Sequence, residues 1–167
     1  EIPLRRFADI AGAKLLRGFA FLSAKPMLIL LNNDDEDDVL PDTKRLPEKE
    51  TCLVIRAKLE QELAQMSPEE AQDFLSEFNI TASATDRVIQ RSYDLMGLIS
   101  FFTVGEDEVR AWTIPRKTPV DDAAGAIHTD MKKGFIRAEV VAYKDLMAAG
   151  TYAEARKHGT VRLEGKT

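Results

Sequence analysis

Two short, unbroken apolar runs mark the first half of the chain, over residues 27–31 and 52–55. Apolar runs of this length are typical of the central strands of a parallel sheet that is covered on both faces. The first run leads directly into Asn32-Asn33-Asp34-Asp35, and the second leads into Arg56-Ala57-Lys58. Because ligands of open α/β sheets gather at the carboxyl ends of the strands, the pattern predicts two strands with a polar, ligand-binding edge.

Helical spacing of apolar residues recurs in three places. Residues 10–23 carry an apolar stripe that predicts an amphipathic helix, although Gly12 and Gly18 weaken it. Residues 68–77 follow Ser67, and Glu70 stands three positions after that serine, as in a capping box at the start of a helix. A third helix is predicted over residues 84–96. It ends at Gly97, which suits a left-handed position. We interpret the second and third of these helices as scaffold.

The pattern changes to strands and short helices after residue 97. Residues 98–104 and 108–114 flank a short turn that contains glycine, which predicts a β-hairpin. A short helix over residues 120–127, a turn over residues 131–134 and a strand over residues 135–142 are predicted next. Thr151 and Glu154 form a second capping box, whose helix should end at Gly159, and residues 161–166 are strand-like. The order hairpin, helix, strand resembles that of a small β-grasp module.

Charge is unevenly distributed along the 167 residues, whose formal net charge is −5. Residues 1–100 hold 12 basic and 18 acidic side chains, whereas residues 101–167 hold 11 basic and 10 acidic ones. An acidic chain is unsuited to binding a polyanion over its whole surface, so we expect any RNA contact in the second half. The cations assigned to that contact are Lys132, Lys133, Arg137, Arg156 and Lys157. Cations in the last turn of a helix also offset the helix dipole, and both interpretations stay open.

The remaining residue types with distinctive chemistry favour structural roles. Cys52 is the single cysteine and lies among apolar neighbours, which indicates a buried thiol in a reducing compartment, hence the cytoplasm. His128 and His158 lack a partner cysteine or third ligand at metal spacing, so we expect His128 to bond a nearby backbone group and predict no metal site. Trp112 fits either a core position or a stacking surface, and the core is favoured. No apolar run reaches the roughly 18 residues of a membrane span.

Several segments together resemble one family. They are residues 124–130 (Ala-Gly-Ala-Ile-His-Thr-Asp), residues 134–140 (Gly-Phe-Ile-Arg-Ala-Glu-Val), the hairpin over residues 101–114 and residues 161–166. The chain is similar to the YchF or Obg-like ribosome-binding ATPases. The resemblance implies an α/β fold, the C-terminal part of a P-loop NTPase domain, followed by a β-grasp (TGS, ubiquitin-like α+β) domain. Its implied divisions are residues 1–25, the end of an inserted helical arm and return helix, residues 26–98, the nucleotide domain, and residues 99–167, a TGS domain truncated at its C-terminus.

The resemblance also implies a nucleotide-base pocket. In P-loop GTPases an asparagine at the place of Asn32 supports the nucleotide loops, and an aspartate three residues later accepts hydrogen bonds from guanine. The family usually has glutamate at that acidic place, in line with its use of ATP, and here the place holds Asp35, or Glu36 after a slip of one residue. The implied base-binding residues are Asn32, Asn33, Asp35, Ala57 and Lys58. The alternative is that residues 32–38 form an acidic, solvated loop.

Activity of the chain by itself is not expected, because no Gly-x-x-x-x-Gly-Lys-Ser/Thr sequence is present to hold phosphates and Mg²⁺. We therefore assign no catalytic residue and expect the chain to be a fragment cut at both ends. The resemblance implies ATP (or GTP) with Mg²⁺ in the full-length protein and no cofactor on this fragment. It implies the ribosome or ribosomal RNA as partner, without DNA or a membrane. The alternative is a stand-alone TGS module that binds RNA or the ribosome without NTPase activity.

Overall fold

The computed structural model describes residues 2–42, 51–77, 80, 82–105 and 107–166. The chain divides into two compact units, Glu1–Gly97 and Leu98–Thr167, and each unit is described by itself. Across the described residues, no helix combines the length and the apolar composition needed to cross a membrane.

The sheet of the first unit is a parallel pair of strands, as the two apolar runs predict. β1 (Leu28–Asn32) and β2 (Thr51–Ile55) are in register from the pair Leu28 and Thr51 to the pair Asn32 and Ile55. The two strands therefore end at the same level, and the polar residues that follow them begin side by side. Cys52 is only half-buried within β2, which corrects the expectation of a buried thiol.

The N-terminal segment departs from the prediction of one amphipathic helix over residues 10–23. It forms 3₁₀ turns at Leu4–Arg6, Lys14–Phe19 and Leu22–Ala24, with one short helix, α1 (Ala8–Ala11). The prediction of a continuous helix was wrong for a local reason. Gly12 ends α1, and Ala20 adopts a φ of 49°, which a right-handed helix does not tolerate.

The described part of the first unit holds three further helices: α2 (Ala57–Leu63), α3 (Pro68–Glu77) and α4 (Ala84–Met96). The capping box of α3 is confirmed, because the Ser67 N–H donates to Glu70 Oε2 at 3.0 Å and the Glu70 N–H donates to Ser67 Oγ at 3.3 Å. The left-handed end of α4 is confirmed as well, with φ of 64° at Gly97.

The packing of α2 depends on one buried leucine and one carboxylate. Leu59 is only 2% exposed and anchors α2 in the core of the unit. Glu60 Oε1 accepts a hydrogen bond of 2.7 Å from the Ala84 N–H, at the start of α4. This bond satisfies a helix N–H that has no partner within its own helix, and it ties α2 to α4.

The second unit begins with the predicted hairpin, β3 (Leu98–Val104) and β4 (Val109–Pro115), paired antiparallel. The helix α5 (Val120–Ile127) packs on β4, and Ile114 and Ala124 are buried there. Trp112 is half-buried; its indole N–H donates to Thr103 Oγ1 at 2.9 Å, and the Arg110 guanidinium lies 4.5 Å from its ring centroid. The chain's own arginine thus covers the ring, which favours the packing role over a stacking surface.

The rest of the second unit alternates short helices and strands: α6 (Thr129–Lys133), β5 (Arg137–Val140), α7 (Tyr143–Ala149), α8 (Tyr152–Lys157) and β6 (Arg162–Gly165). β5 and β6 pair antiparallel. Two predictions need correction here. Residues 131–134 are not a simple turn, because most of them belong to α6. The strand predicted over residues 135–142 is limited to Arg137–Val140, the residues that pair with β6.

Two local predictions in this unit are confirmed. His128 Nδ1 accepts a hydrogen bond of 3.2 Å from the Asp130 N–H, so the imidazole caps α6. Thr151 Oγ1 accepts from the Glu154 N–H at 3.2 Å at the start of α8. The Glu154 carboxylate pairs with Lys157 at 2.6 Å. Of the predicted capping box, the described contacts therefore show only the half in which Thr151 accepts from the Glu154 N–H. Gly159 is left-handed, with φ of 71°, just beyond the end of α8.

Candidate functional site

A polar cleft of about 440 Å³ lies at the carboxyl ends of the two parallel strands. β1 supplies the residue at its end and the loop that follows it, and β2 leads into α2, whose first turn supplies a lysine. The lining residues are Asn32, Asn33, Asp34, Asp35, Glu36 and Lys58. Four of the five residues predicted to bind a base therefore line one cleft, and the fifth, Ala57, lies next to Lys58 at the start of α2.

The strand ends are joined by two hydrogen bonds beyond the sheet. The Asn33 N–H donates to the Ile55 carbonyl at 2.9 Å, and Asn32 Oδ1 accepts from the Ala57 N–H at 3.0 Å. Asn32 thus fixes the junction of β2 and α2 against the end of β1. The resemblance implies Ala57 as a base-binding residue, and in this structure its N–H donates to Asn32.

The loop after β1 is folded on itself by short-range hydrogen bonds. Asn33 Nδ2 donates to the Val39 carbonyl at 2.9 Å, and the Val39 N–H donates to Asp37 Oδ1 at 3.0 Å. The Asp37 N–H in turn donates to the Asp34 carbonyl at 3.0 Å. These bonds engage the Asn33 amide nitrogen, and the Asn33 amide oxygen remains a group of the cleft that can accept a hydrogen bond from a ligand.

Asp35 is held at two points by residues on either side of Ala57. Lys58 Nζ donates to Asp35 Oδ2 at 3.0 Å, and Arg56 Nη1 donates to the Asp35 carbonyl at 3.1 Å. The Asp35 side chain is 28% exposed, whereas that of Lys58 is 73% exposed. The hydrogen bond to Asp35, and secondarily its charge and that of Glu62, raise the pKa of Lys58 above its usual value. Lys58 therefore stays an ammonium at every physiological pH.

The arrangement is suited to recognising a planar, polar ring. Amide and carboxylate oxygens offer acceptors, the Lys58 ammonium offers a donor, and its aliphatic stem offers a flat apolar surface. Over the described residues, no group of three or more His, Cys, Asp or Glu side chains is placed to hold a metal ion.

The cations predicted to contact RNA lie on three elements of the second unit. Most of these cations form ion pairs with carboxylates. Lys132 pairs with Asp122, and Lys133 lies 3.3 Å from Asp130. Further pairs join Arg156 to Glu139 at 3.2 Å and Lys157 to Glu154 at 2.6 Å. Arg137 is exposed at the start of β5 and has no carboxylate partner within the described part of the chain.

Sequence reasoning missed both the counter-ions of these cations and the role of Arg56. The pairs of Asp130 with Lys133 and of Glu154 with Lys157 have the spacing of three that a helix brings together, which was a usable signal. Arg56 had no such signal, because it reaches a backbone carbonyl that lies 21 positions earlier in the chain.

Comparison with known proteins relates the chain to one family in both of its units. Residues 98–167 match the family model YchF-GTPase_C, described as a protein of unknown function (DUF933). The ribosome-binding ATPase YchF of Bacillus subtilis is 41% identical over 162 residues, which cover 92% of this chain and 44% of that protein. Obg-like ATPase 1 of Oryza sativa subsp. indica is 38% identical over 173 residues, which cover 97% of this chain and 44% of that protein.

A solved structure shows the same fold. The structure of the Schizosaccharomyces pombe YchF GTPase matches with a TM-score of 0.75 and 32% identity, covering 92% of this chain and 43% of that one. The match confirms the predicted α/β fold with a C-terminal TGS-like domain. The chain spans about 44% of the length of the curated relatives named above.

Proposed function

Because the chain belongs to the family of YchF and Obg-like ATPases, we propose that it is part of a ribosome-binding, nucleotide-dependent ATPase and supplies one side of its base pocket. The observation that carries this proposal is the polar cleft at the ends of β1 and β2. It gathers amide, carboxylate and ammonium groups at the edge of a parallel sheet where α/β proteins bind ligands.

We assign the five predicted residues two kinds of role. Asn33, Asp35 and Lys58 line the cleft with polar groups and contact the base, with the Lys58 stem packing over the base or sugar. Asn32 and Ala57 are bonded to each other and fix the distance between the two strand ends. Loss of that bond changes the width of the pocket without removing a group that touches the nucleotide.

Hydrolysis belongs to the whole protein in this proposal. The nucleotide is ATP, or GTP, with Mg²⁺ on its phosphates, and a P-loop holds both. No such loop occurs in these 167 residues, so we expect no hydrolysis by the chain alone. The relatives named ribosome-binding ATPases are more than twice as long as this chain, which leaves room for that machinery.

The second unit is proposed to contact the ribosome. The Bacillus subtilis relative is named a ribosome-binding ATPase, and residues 98–167 carry the match to the family model. Ribosomal RNA is the polyanion that Arg137, Lys132, Lys133, Arg156 and Lys157 would meet. From that proposed partner we infer a cytoplasmic location.

The test of the base pocket is isothermal titration of the complete protein with ATP and with GTP in the presence of Mg²⁺. We expect micromolar binding of at least one nucleotide. Asp35→Asn should weaken that binding about five-fold or more, because the base loses a charged hydrogen-bonding partner. Asp38→Asn is the matched control, since it removes the same charge from a residue that does not line the cleft. Failure to bind either nucleotide would refute the pocket and favour an RNA- or ribosome-binding TGS module without NTPase activity.

A further inference from the structure

Two cations on either side of Ala57 converge on a single acidic residue. Arg56 donates to the backbone carbonyl of Asp35 at 3.1 Å, and Lys58 donates to its carboxylate at 3.0 Å. The three residues, Arg56, Asp35 and Lys58, are called the Asp35 clamp below. Since one contact is to the main chain and the other to the side chain, the clamp fixes the position of Asp35 and also engages one of its oxygens.

The two purine bases differ in what they require of a carboxylate. Guanine presents adjacent donors, N1–H and the N2 amino group, which are bound best by both oxygens of one carboxylate. Adenine presents an acceptor at N1 and donors only at N6, so it has no pair of adjacent donors for a carboxylate. A carboxylate held by a lysine must give up or share that ion pair to bind guanine with both oxygens.

We propose that the Asp35 clamp lowers the affinity for guanine nucleotides relative to adenine nucleotides. Lys58 determines the specificity by occupying Asp35 Oδ2, and Arg56 is a positioning residue that keeps Asp35 within reach of Lys58. The inference rests on the proposed base pocket. It assigns that pocket to adenine although Asp35 alone would suit guanine.

The experiment measures the ratio of the Kd for GTP to the Kd for ATP by calorimetry on the complete protein. Lys58→Met removes the ammonium and keeps a long apolar side chain. Any change in packing over the base affects the Kd values for GTP and ATP alike, so a change in their ratio reports the loss of the ion pair with Asp35. We expect the ratio to fall roughly two- to five-fold, the range set by an exposed ion pair. Arg56→Gln should lower the ratio in the same direction, and Arg56→Lys should restore part of it.

A double variant tests whether the effect passes through Asp35. In an Asp35→Asn background, Lys58→Met should leave the ratio unchanged, because no carboxylate remains for the ammonium to occupy. Inosine triphosphate, which keeps N1–H and lacks the N2 amino group, should gain less than GTP from Lys58→Met. Thermal melts that match the unmodified protein within about 2 °C show that the variants are folded.

Three results separate the inference from the proposal beneath it. A ratio that is unchanged or higher in Lys58→Met, with ATP still bound by the unmodified protein, overturns the inference and leaves the pocket standing. A fall that persists in the Asp35→Asn background also overturns it, because Asp35 is then not the residue through which Lys58 acts. Failure of the unmodified protein to bind either nucleotide overturns both.

Discussion

The Asn32 side chain and the Ala57 backbone are joined by a hydrogen bond of 3.0 Å across 25 positions of sequence. The bond joins the last residue of β1 to a backbone N–H two residues beyond its partner in the parallel ladder, Ile55. It gives the Ala57 N–H, at the first turn of α2, the partner that a helix start otherwise lacks. The Asn32 side chain thus links the end of β1 to the start of α2, the helix that carries Lys58.

Removing the Asn32 amide should loosen this junction. We expect Asn32→Ala to lower the free energy of unfolding by about 1 kcal/mol, since the Ala57 N–H loses its acceptor. Nucleotide affinity of the complete protein should fall at the same time. Asn32→Asp keeps an acceptor oxygen at the same place and should retain most of the stability. Equal losses in urea titrations of the two variants would show that the hydrogen bond is not the cause.

The start of α3 should make stability depend on pH through Glu70. The backbone N–H of Ser67, and then its hydroxyl, lower the pKa of Glu70 below its usual value. Because the pKa is lower in the folded state, the stabilisation is fully present above the unfolded value of 4.5 and is lost as the pH falls through the folded value. We expect Glu70→Gln to destabilise at pH 7 and to have little effect at pH 2.

Glu69 supplies the control for that measurement. It is an exposed carboxylate in the same first turn, whereas both capping hydrogen bonds go to Glu70. Glu69→Gln should change stability less than Glu70→Gln at pH 7 in urea unfolding. The same pH profile for both variants would mean that the charge of the turn, and not the capping box, sets the dependence.

The glycine that ends α4 should be sensitive to any side chain. Gly97 has φ of 64°, and a Cβ there would meet no atom within 4 Å, so the cost of Gly97→Ala is backbone strain alone. We expect a loss of about 1 kcal/mol in unfolding free energy. Gly18→Ala is the matched control, because its Cβ would also meet nothing within 4 Å but its φ is not positive. Thermal or urea unfolding should rank Gly97→Ala as the less stable variant.

Among the five cations predicted to contact RNA, Arg137 should matter most. It is free of a carboxylate partner among the described residues, whereas Lys133 must leave Asp130 to meet a phosphate. We expect Arg137→Gln to weaken co-sedimentation of the complete protein with ribosomes more than Lys133→Gln does. Loss of one phosphate contact should also lower the slope of log affinity against log salt by about one. Indistinguishable binding of both variants would remove Arg137 from the interface.

Local sequence signals predicted the elements that local chemistry decides. The unbroken apolar runs correctly indicated β1 and β2, and Ser67, Glu70 and Gly97 correctly marked helix ends, because the bonds that make those ends involve near neighbours in sequence. The prediction of a helix over residues 10–23 failed because Gly12 and Ala20 interrupt the backbone. The apolar stripe did not mark a core-facing side either, since Leu15 is 92% and Leu22 is 79% exposed.

The candidate site shows the same limit at longer range. The end of each strand could be located from the sequence, which therefore predicts four of the residues that line the cleft. The two hydrogen bonds that hold Asp35 could not, since they join positions 21 and 23 residues apart and depend on the register of the two strands. The partner of the Ala57 N–H could not be predicted either, because Asn32 lies 25 positions away in sequence.

The hydrogen bond from the Ala84 N–H to Glu60 connects α2, which supplies Lys58 to the cleft, with the start of α4. Glu60 lies two residues after Lys58 on α2, and α2 is a helix of only seven residues with a single fully buried anchor, Leu59. A short helix that is anchored at one residue can rotate about that residue as a rigid body. Movement of Lys58 toward a bound base would therefore pull on the first turn of α4.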